Sequence, residues 1–167
     1  MSEMMKSVER NYLSPLLFWD LYSEYFFGLV KNAKANRDIQ QLKSVIGYPM
    51  EDWVITTIKE EEYDALVVTD SLQNIQWVSS GFVEMTGYTK AYAIGKTPHF
   101  LQGSRTSKET KNAIRKGLKN DENITESVYN YKKNGDEYLC EIKIIPLFDK
   151  NSGMTHYLAL EKELKAA

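Results

Sequence analysis

The sequence has 167 residues, of which 43% are hydrophobic and 26% charged, and its net charge is −2; this is typical of one folded domain with an extension. The lack of a basic excess argues against a nucleic-acid-binding surface, and a single cysteine, Cys140, excludes an internal disulfide framework and a multi-cysteine metal site. The N-terminus lacks a signal-peptide pattern and the most apolar stretch is interrupted by Asp20 and Glu24, so we expect a cytoplasmic protein that does not enter a membrane.

The N-terminal part of the chain predicts three helices. Ser14-Pro15 is a helix-start signal, and a second helix is predicted around Ile39–Ile46, ending at Gly47. A third is predicted from Glu51 to about Glu61, before an acidic segment that we take as a domain boundary. This gives a helical extension over residues 1–62 and a second domain over residues 63–167. The first helix carries a broad apolar face, which we expect to form a dimer interface: Leu17, Phe18, Leu21, Tyr22, Tyr25, Phe26 and Leu29.

The second domain alternates between strand and helix patterns. "ALVVTD" and "NIQWVS" predict a hairpin, and short helical pieces follow, with Gly87 and Gly95 as stops. A longer helix is predicted from Thr106 to Leu118, with Thr110, Ala113, Ile114 and Leu118 facing inward. "ITESVYNYKK", "EYLCEIKIIPLF" and "THYLALEKE" predict three more strands, the first two joined at Asn134-Gly135. The pattern indicates an α+β fold, a five-stranded antiparallel sheet with helices on one face.

Several motifs in this region resemble those of the PAS superfamily, and more narrowly its light-oxygen-voltage (LOV) branch, which binds flavin mononucleotide (FMN). The motifs are "MTGYTKAYAIGK", "HFLQG", "NAIRKGL" and "NYKKNGDEY". The resemblance covers Ala65 to about Glu161, with the motifs in the family's order and spacing. It implies the PAS fold, whereas function has to be argued position by position.

The resemblance implies a pocket in which some flavin contacts are kept and others are changed. Gln102, Arg115 and Asn130 match residues that hold the flavin tail, its phosphate and the polar edge of its ring, although Arg115 could instead pair with an acidic neighbour. Pro98 stands where the family has the cysteine that attacks the flavin. Four further positions are substituted relative to the family, namely Ser79, His99, Cys140 and Glu161.

The substitutions predict the loss of cysteinyl-flavin adduct photochemistry, because proline offers neither sulfur nor a labile proton. An ionised Glu161 would only accept hydrogen bonds and would face the ring carbonyl as one acceptor against another. Cys140 alternates with Tyr138, Ile142 and Ile144 along a predicted strand, on the side that should face the helices, and is interpreted as a small buried side chain. His99 and His156 are interpreted as polar residues without a metal-binding role. We therefore expect no bound cofactor, with weak FMN binding as the alternative.

The sequence lacks the motifs of an enzyme active site, so no catalytic and no metal-ligating residues are predicted. The favoured interpretation is a non-enzymatic sensory or protein-interaction module. A flavin-binding photoreceptor or redox sensor that works by electron transfer is the second hypothesis, and an enzyme is a distant third. The expected partners are a second copy, bound through the N-terminal helices and a sheet face, and a separate signalling protein.

Overall fold

The computed structural model describes the backbone of residues 15–165 and the side chains of residues 19–165. The helices are α1 (Pro15–Ile46), α2 (Asp52–Glu60), α3 (Ser80–Thr86), α4 (Lys90–Ala93), a 3-10 turn (Pro98–Leu101) and α5 (Lys108–Lys119). The strands are β1 (Ala65–Asp70), β2 (Ile75–Val78), β3 (Ile124–Tyr131), β4 (Glu137–Asp149) and β5 (Gly153–Leu164).

Helix α1 is continuous over 32 residues, so the prediction of two separate helices in this region is wrong. The segment "VKNAKANRD", which links the two predicted helices, contains neither proline nor glycine, and nothing in it interrupts backbone hydrogen bonding. The helix ends before Gly47, whose φ of +75° is readily adopted only by glycine. The chain forms two compact units that divide between Lys34 and Ala35, within this helix.

The sheet is antiparallel with the strand order β2-β1-β5-β4-β3, which confirms the predicted five-stranded fold. Strand β5 pairs with β1 on one side and with β4 on the other. The predicted hairpin at Asn134-Gly135 joins β3 to β4, and Gly135 has a φ of +91°. Helices α3 and α4 and the 3-10 turn contribute to an apolar cluster on the inner face of the sheet, which contains Phe82, Ala93 and Leu101.

The outer face of the sheet is covered by α2 and by the part of α1 from Ala35 onward. Together with Met50, these elements and strands β1, β4 and β5 form one buried cluster, which includes Leu42, Ile58, Leu66, Ile145, Leu158 and Leu160. The outer face of β3 keeps the polar residues Thr125 and Ser127 exposed. The apolar part of the outer face is therefore buried by the chain's own helices.

The unit that ends at Lys34 presents a run of exposed apolar side chains on α1. Their exposed fractions lie between 50% and 68%, and the residues are Trp19, Leu21, Tyr22, Tyr25, Phe26, Phe27, Leu29 and Val30. The predicted interface residues Leu17 and Phe18 lie outside the described side chains. Within residues 15–165, the apolar content of every helix falls short of what crossing a bilayer would require.

Candidate functional site

A cavity of about 150 Å³ lies between the inner face of the sheet, the 3-10 turn and α5. Most of its wall is apolar and comes from several elements: Val67, Leu101, Ile114, Val128, Ile142 and Ile144. Ile142 and Ile144 lie two residues apart on β4. They point to the same face of the sheet, because successive side chains in a strand point to opposite faces. The period-two pattern of β4 thus predicted correctly that Ile142 and Ile144 face the helices.

Helix α5 is fixed over the cavity by hydrogen bonds near both of its ends. The Tyr157 hydroxyl donates to the Leu118 carbonyl oxygen at 3.0 Å and to Asp121 Oδ1 at 3.1 Å. Before the helix, Thr106 Oγ1 donates to the Tyr129 carbonyl oxygen at 2.6 Å. Burial raises the pKa of Tyr157 to about 12, so this hydroxyl stays a donor at neutral pH.

The orientation of α5 differs from the prediction at one position. Thr110, Ile114 and Leu118 are half-buried as expected, whereas Ala113 is exposed, so its predicted inward orientation is wrong. The buried residue on the same side as Ile114 is Gly117, where an added Cβ would overlap the side chain of Ile124. This close approach is made by the last turn of the helix, one turn beyond Ala113.

Three of the predicted cofactor contacts line the cavity together: Gln102, Asn130 and Arg115. Asn130 is buried on β3, and an isolated backbone bridge joins it to the half-buried Gln102. Arg115 is exposed, and its Nη1 donates to Asn112 Oδ1 at 3.4 Å. No salt bridge within residues 15–165 includes Arg115, so its guanidinium group has no acidic partner in this part of the chain.

Glu161 brings a carboxyl group into the cavity from β5, where it pairs with Ala65 and Ile142 in register. The side chain is 4% exposed, and its Oε2 atom has no hydrogen-bond partner among the described residues. Burial raises the pKa of Glu161 from 4.5 to about 7, because an apolar environment disfavours the charged form. Near neutral pH a large fraction of Glu161 therefore carries a proton and can donate it in a hydrogen bond, unlike the ionised carboxylate considered from the sequence.

The substituted positions separate into two groups. Pro98 and His99 line the cavity with Glu161, Pro98 as the first residue of the 3-10 turn. Ser79 lies outside the lining, and its Oγ accepts a hydrogen bond from the Leu66 amide at 2.9 Å. Cys140 also lies outside it, fully buried in the apolar cluster of the inner face, as its interpretation as a small core residue predicted.

Several lining residues were not predicted from the sequence, among them Thr69 and Tyr157. Tyr157 alternates with Ala159 and Glu161 on β5, and this alternation was the available signal. Among the described residues, no cluster of histidine, cysteine, aspartate and glutamate is suited to hold a metal ion. The cavity is thus the site where polar and charged groups converge within an apolar wall.

Comparison with known proteins identifies the family. A sequence model of the PAS domain matches residues 64–164, so the chain belongs to the PAS domain family. A blue-light photoreceptor of Listeria innocua is 31% identical over 119 residues, covering 70% of this chain and 47% of that protein. The chain therefore spans about half the length of this curated relative.

Solved structures agree with this assignment. A LOV domain studied with a flavin analogue superposes with a TM-score of 0.61 at 25% identity, covering 69% of this chain and 87% of that one. The PAS domain of the fruit-fly ELK potassium channel superposes with a TM-score of 0.59 at 30% identity, covering 68% and 96%. The similarity thus extends both to a light-sensing domain and to a PAS domain of an ion channel.

FMN is the cofactor that the LOV relatives imply, and the cavity fits it only in part. Gln102, Asn130 and Arg115 have the right chemistry for polar and phosphate contacts. The interior of about 150 Å³ is, however, no more than half of the roughly 300 Å³ at which pockets for drug-sized ligands begin. The wall also carries no thiol. The cavity as described does not fit the complete cofactor.

Proposed function

We propose that this chain is a PAS-type sensory or protein-interaction module that works without a cysteinyl-flavin adduct. The observation that carries the proposal is the position of Pro98 in the cavity wall, while Cys140 is not a lining residue and lies in the adjoining apolar cluster. An adduct needs a sulfur atom against the ring and a proton that the thiol can release. Burial raises the pKa of Cys140, which further disfavours its reactive thiolate.

Absorption spectroscopy tests this proposal. The purified protein is examined directly and again after incubation with excess FMN, before and after blue light. We expect no reversible bleaching to a near-ultraviolet species, and Cys140→Ala should behave like the parent chain. We also expect Pro98→Cys alone to give no adduct, since the substitutions at His99, Cys140 and Glu161 would still weaken flavin binding. A reversible adduct that is lost in Cys140→Ala would contradict the proposal.

A flavin-binding photoreceptor or redox sensor that works by electron transfer is the second candidate. Two observations favour it: the similarity to a blue-light photoreceptor and the presence of Gln102, Asn130 and Arg115 in one cavity wall. A yellow protein with a structured blue absorption band after purification would support this candidate over the first.

We also propose that two copies associate through the N-terminal part of α1. Eight large apolar side chains between Trp19 and Val30 are at least half exposed, and a contiguous apolar surface of this kind is typical of an interaction site. A two-fold arrangement is economical because the same patch serves both chains. The apolar outer sheet face is covered by the chain's own helices, which leaves the helix as the better candidate.

In this proposal, a signal passes from the cavity to the N-terminal helices along β5. Glu161 points into the cavity, whereas its neighbour Lys162 donates from Nζ to Glu62 Oε2 at 2.6 Å, just after α2. The Glu163 amide donates to Asp64 Oδ2 at 2.8 Å. The strand with the cavity carboxyl group is therefore attached to the segment that leaves the helical extension.

We keep the domain boundary after residue 62 as part of this proposal, since the family match begins at residue 64.

A further inference from the structure

The cavity combines an apolar interior, a buried carboxyl group and cations at its exposed side. Lys111 and Arg115 both line it and lie four residues apart on α5, so they share one face of the helix. Helix α5 carries five basic residues and a single acidic one, Glu109. An anionic group on a ligand would therefore be favoured at this side of the cavity.

The volume limits the size of the ligand. A cavity of about 150 Å³ is comparable to engineered protein cavities of roughly the same volume that bind benzene. The aliphatic side chains of Val67, Val128, Ile142 and Ile144 supply the surroundings that one aromatic ring requires. A single ring with small substituents is the ligand class that this interior accommodates.

The carboxyl group of Glu161 defines the polarity of the buried end of such a ligand. Its Oε2 atom has no partner within the described chain, and a buried polar atom without a hydrogen bond is destabilising. Apolar surroundings favour the protonated carboxyl, which donates one hydrogen bond. A carbonyl oxygen on the ligand is the complementary acceptor.

We propose that the cavity binds a single-ring aromatic carboxylate that carries a carbonyl group opposite the acid, with the carbonyl accepting from Glu161 and the carboxylate facing Arg115 and Lys111. This inference rests on the proposed sensory function and specifies the ligand class of the same site. The proposed ligand differs from flavin in ring size, and Glu161 acts as a hydrogen-bond donor to it.

Binding by this arrangement weakens as the pH rises, because the ionised Glu161 has no proton to donate. The charged and titratable groups that share the cavity or lie close to Glu161 are Asp64 before β1, His99 in the 3-10 turn, Lys111 and Arg115 on α5, Tyr138 and Cys140 on β4, and Tyr157 on β5. His99 also lines the cavity, so His99→Asn distinguishes an effect of His99 from one of Glu161.

Calorimetric titration of the full chain with 4-acetylbenzoate tests the proposal against two matched compounds. 4-Isopropylbenzoate has the same shape without the acceptor, and 4-methylacetophenone lacks the anion. We expect each to bind about tenfold or more weakly than 4-acetylbenzoate near pH 6, as expected when a buried or a charge-assisted hydrogen bond is lost. Equal binding of the three compounds, or no binding of any, would overturn the proposal.

Variants assign the contacts. Arg115→Ala should lower the affinity for 4-acetylbenzoate by about tenfold, whereas Lys116→Ala, an exposed neighbour on α5 outside the lining, should not change it. Glu161→Gln should keep binding, because its amide donates a hydrogen bond, and should remove the weakening above neutral pH. A pH dependence that survives in Glu161→Gln but disappears in His99→Asn would overturn the assignment to Glu161.

Competition with FMN separates this inference from the proposed function. If FMN binds and displaces 4-acetylbenzoate, the ligand class is wrong, and the presence or absence of an adduct after blue light still tests the proposed function independently. Circular dichroism melting of each variant verifies that it is folded, so that a lost titration signal reports on binding.

Discussion

Replacing Glu161 with glutamine should make the protein more stable at alkaline pH. The side chain keeps its shape and its ability to donate a hydrogen bond, but it no longer acquires a charge inside the apolar cavity. Since Glu161 is 4% exposed and its Oε2 atom has no partner among the described residues, ionisation in the folded state places an unpaired charge in a low-dielectric environment.

The size of the effect follows from the pKa. Burial raises the pKa of Glu161 from 4.5 to about 7, and each pKa unit corresponds to about 1.4 kcal/mol, which gives about 3 kcal/mol in total. Because the folded-state pKa lies above the unfolded-state value, the favourable contribution is complete below pH 4.5 and is lost as the pH rises to about 7. This loss is a large fraction of the free energy of unfolding of a typical protein, which is roughly 5–15 kcal/mol.

Urea unfolding of the ligand-free parent and variant at a series of pH values measures the effect. The difference in the free energy of unfolding isolates Glu161, because other titrating groups contribute equally to both proteins. Glu141→Gln is the matched control, since Glu141 is exposed on the neighbouring strand β4. If the parent and Glu161→Gln curves run parallel from about pH 5 to pH 8, the carboxyl group is not buried without a partner, and the reasoning fails.

Three further predictions concern packing and assembly. Gly81→Ala should lower the free energy of unfolding by about 1–3 kcal/mol, because the added Cβ would overlap the backbone carbonyl of Asp64. Thermal or urea melts measure this effect, and an unchanged melting curve would contradict it. Tyr157→Phe removes two hydrogen bonds to the end of α5, so amide exchange in α5 should accelerate while exchange in α2 stays constant. Phe26→Glu should shift a dimer towards monomer in sedimentation velocity, whereas Asn32→Glu on the same helix should not; a monomeric parent chain at micromolar concentration would refute the dimer.

The elements that depend on local pattern could be predicted from the sequence. The hairpin at Asn134-Gly135 follows from turn chemistry, and the inward positions of Cys140, Ile142 and Ile144 follow from strand alternation. These features depend on neighbours that are close along the chain, which is why sequence reasoning reaches them.

Features that depend on distant packing could not be predicted. Ala113 is exposed whereas Gly117, one turn later, is buried against Ile124, a contact between two elements that helical spacing does not reveal. The protonation of Glu161 depends on burial by residues from several strands, whereas the sequence suggests only an ordinary carboxylate. The continuity of α1 could not be predicted for a different reason: the segment "VKNAKANRD" between its two apolar stretches is mostly polar, and such a segment looks like a break between helices.

The alternation along β5 has a consequence for how this chain can vary in length. Leu160 packs on the outer face, Glu161 faces the cavity, and Lys162 is held by Glu62. Deleting one residue within the strand would exchange these environments and bring an aliphatic or ammonium side chain to the cavity, since a slip by one reverses every side chain. The exposed turn at Asn151 and Ser152 has no such constraint. Insertions and deletions in functional descendants of this chain should therefore accumulate in that turn and be absent from the strand that follows it.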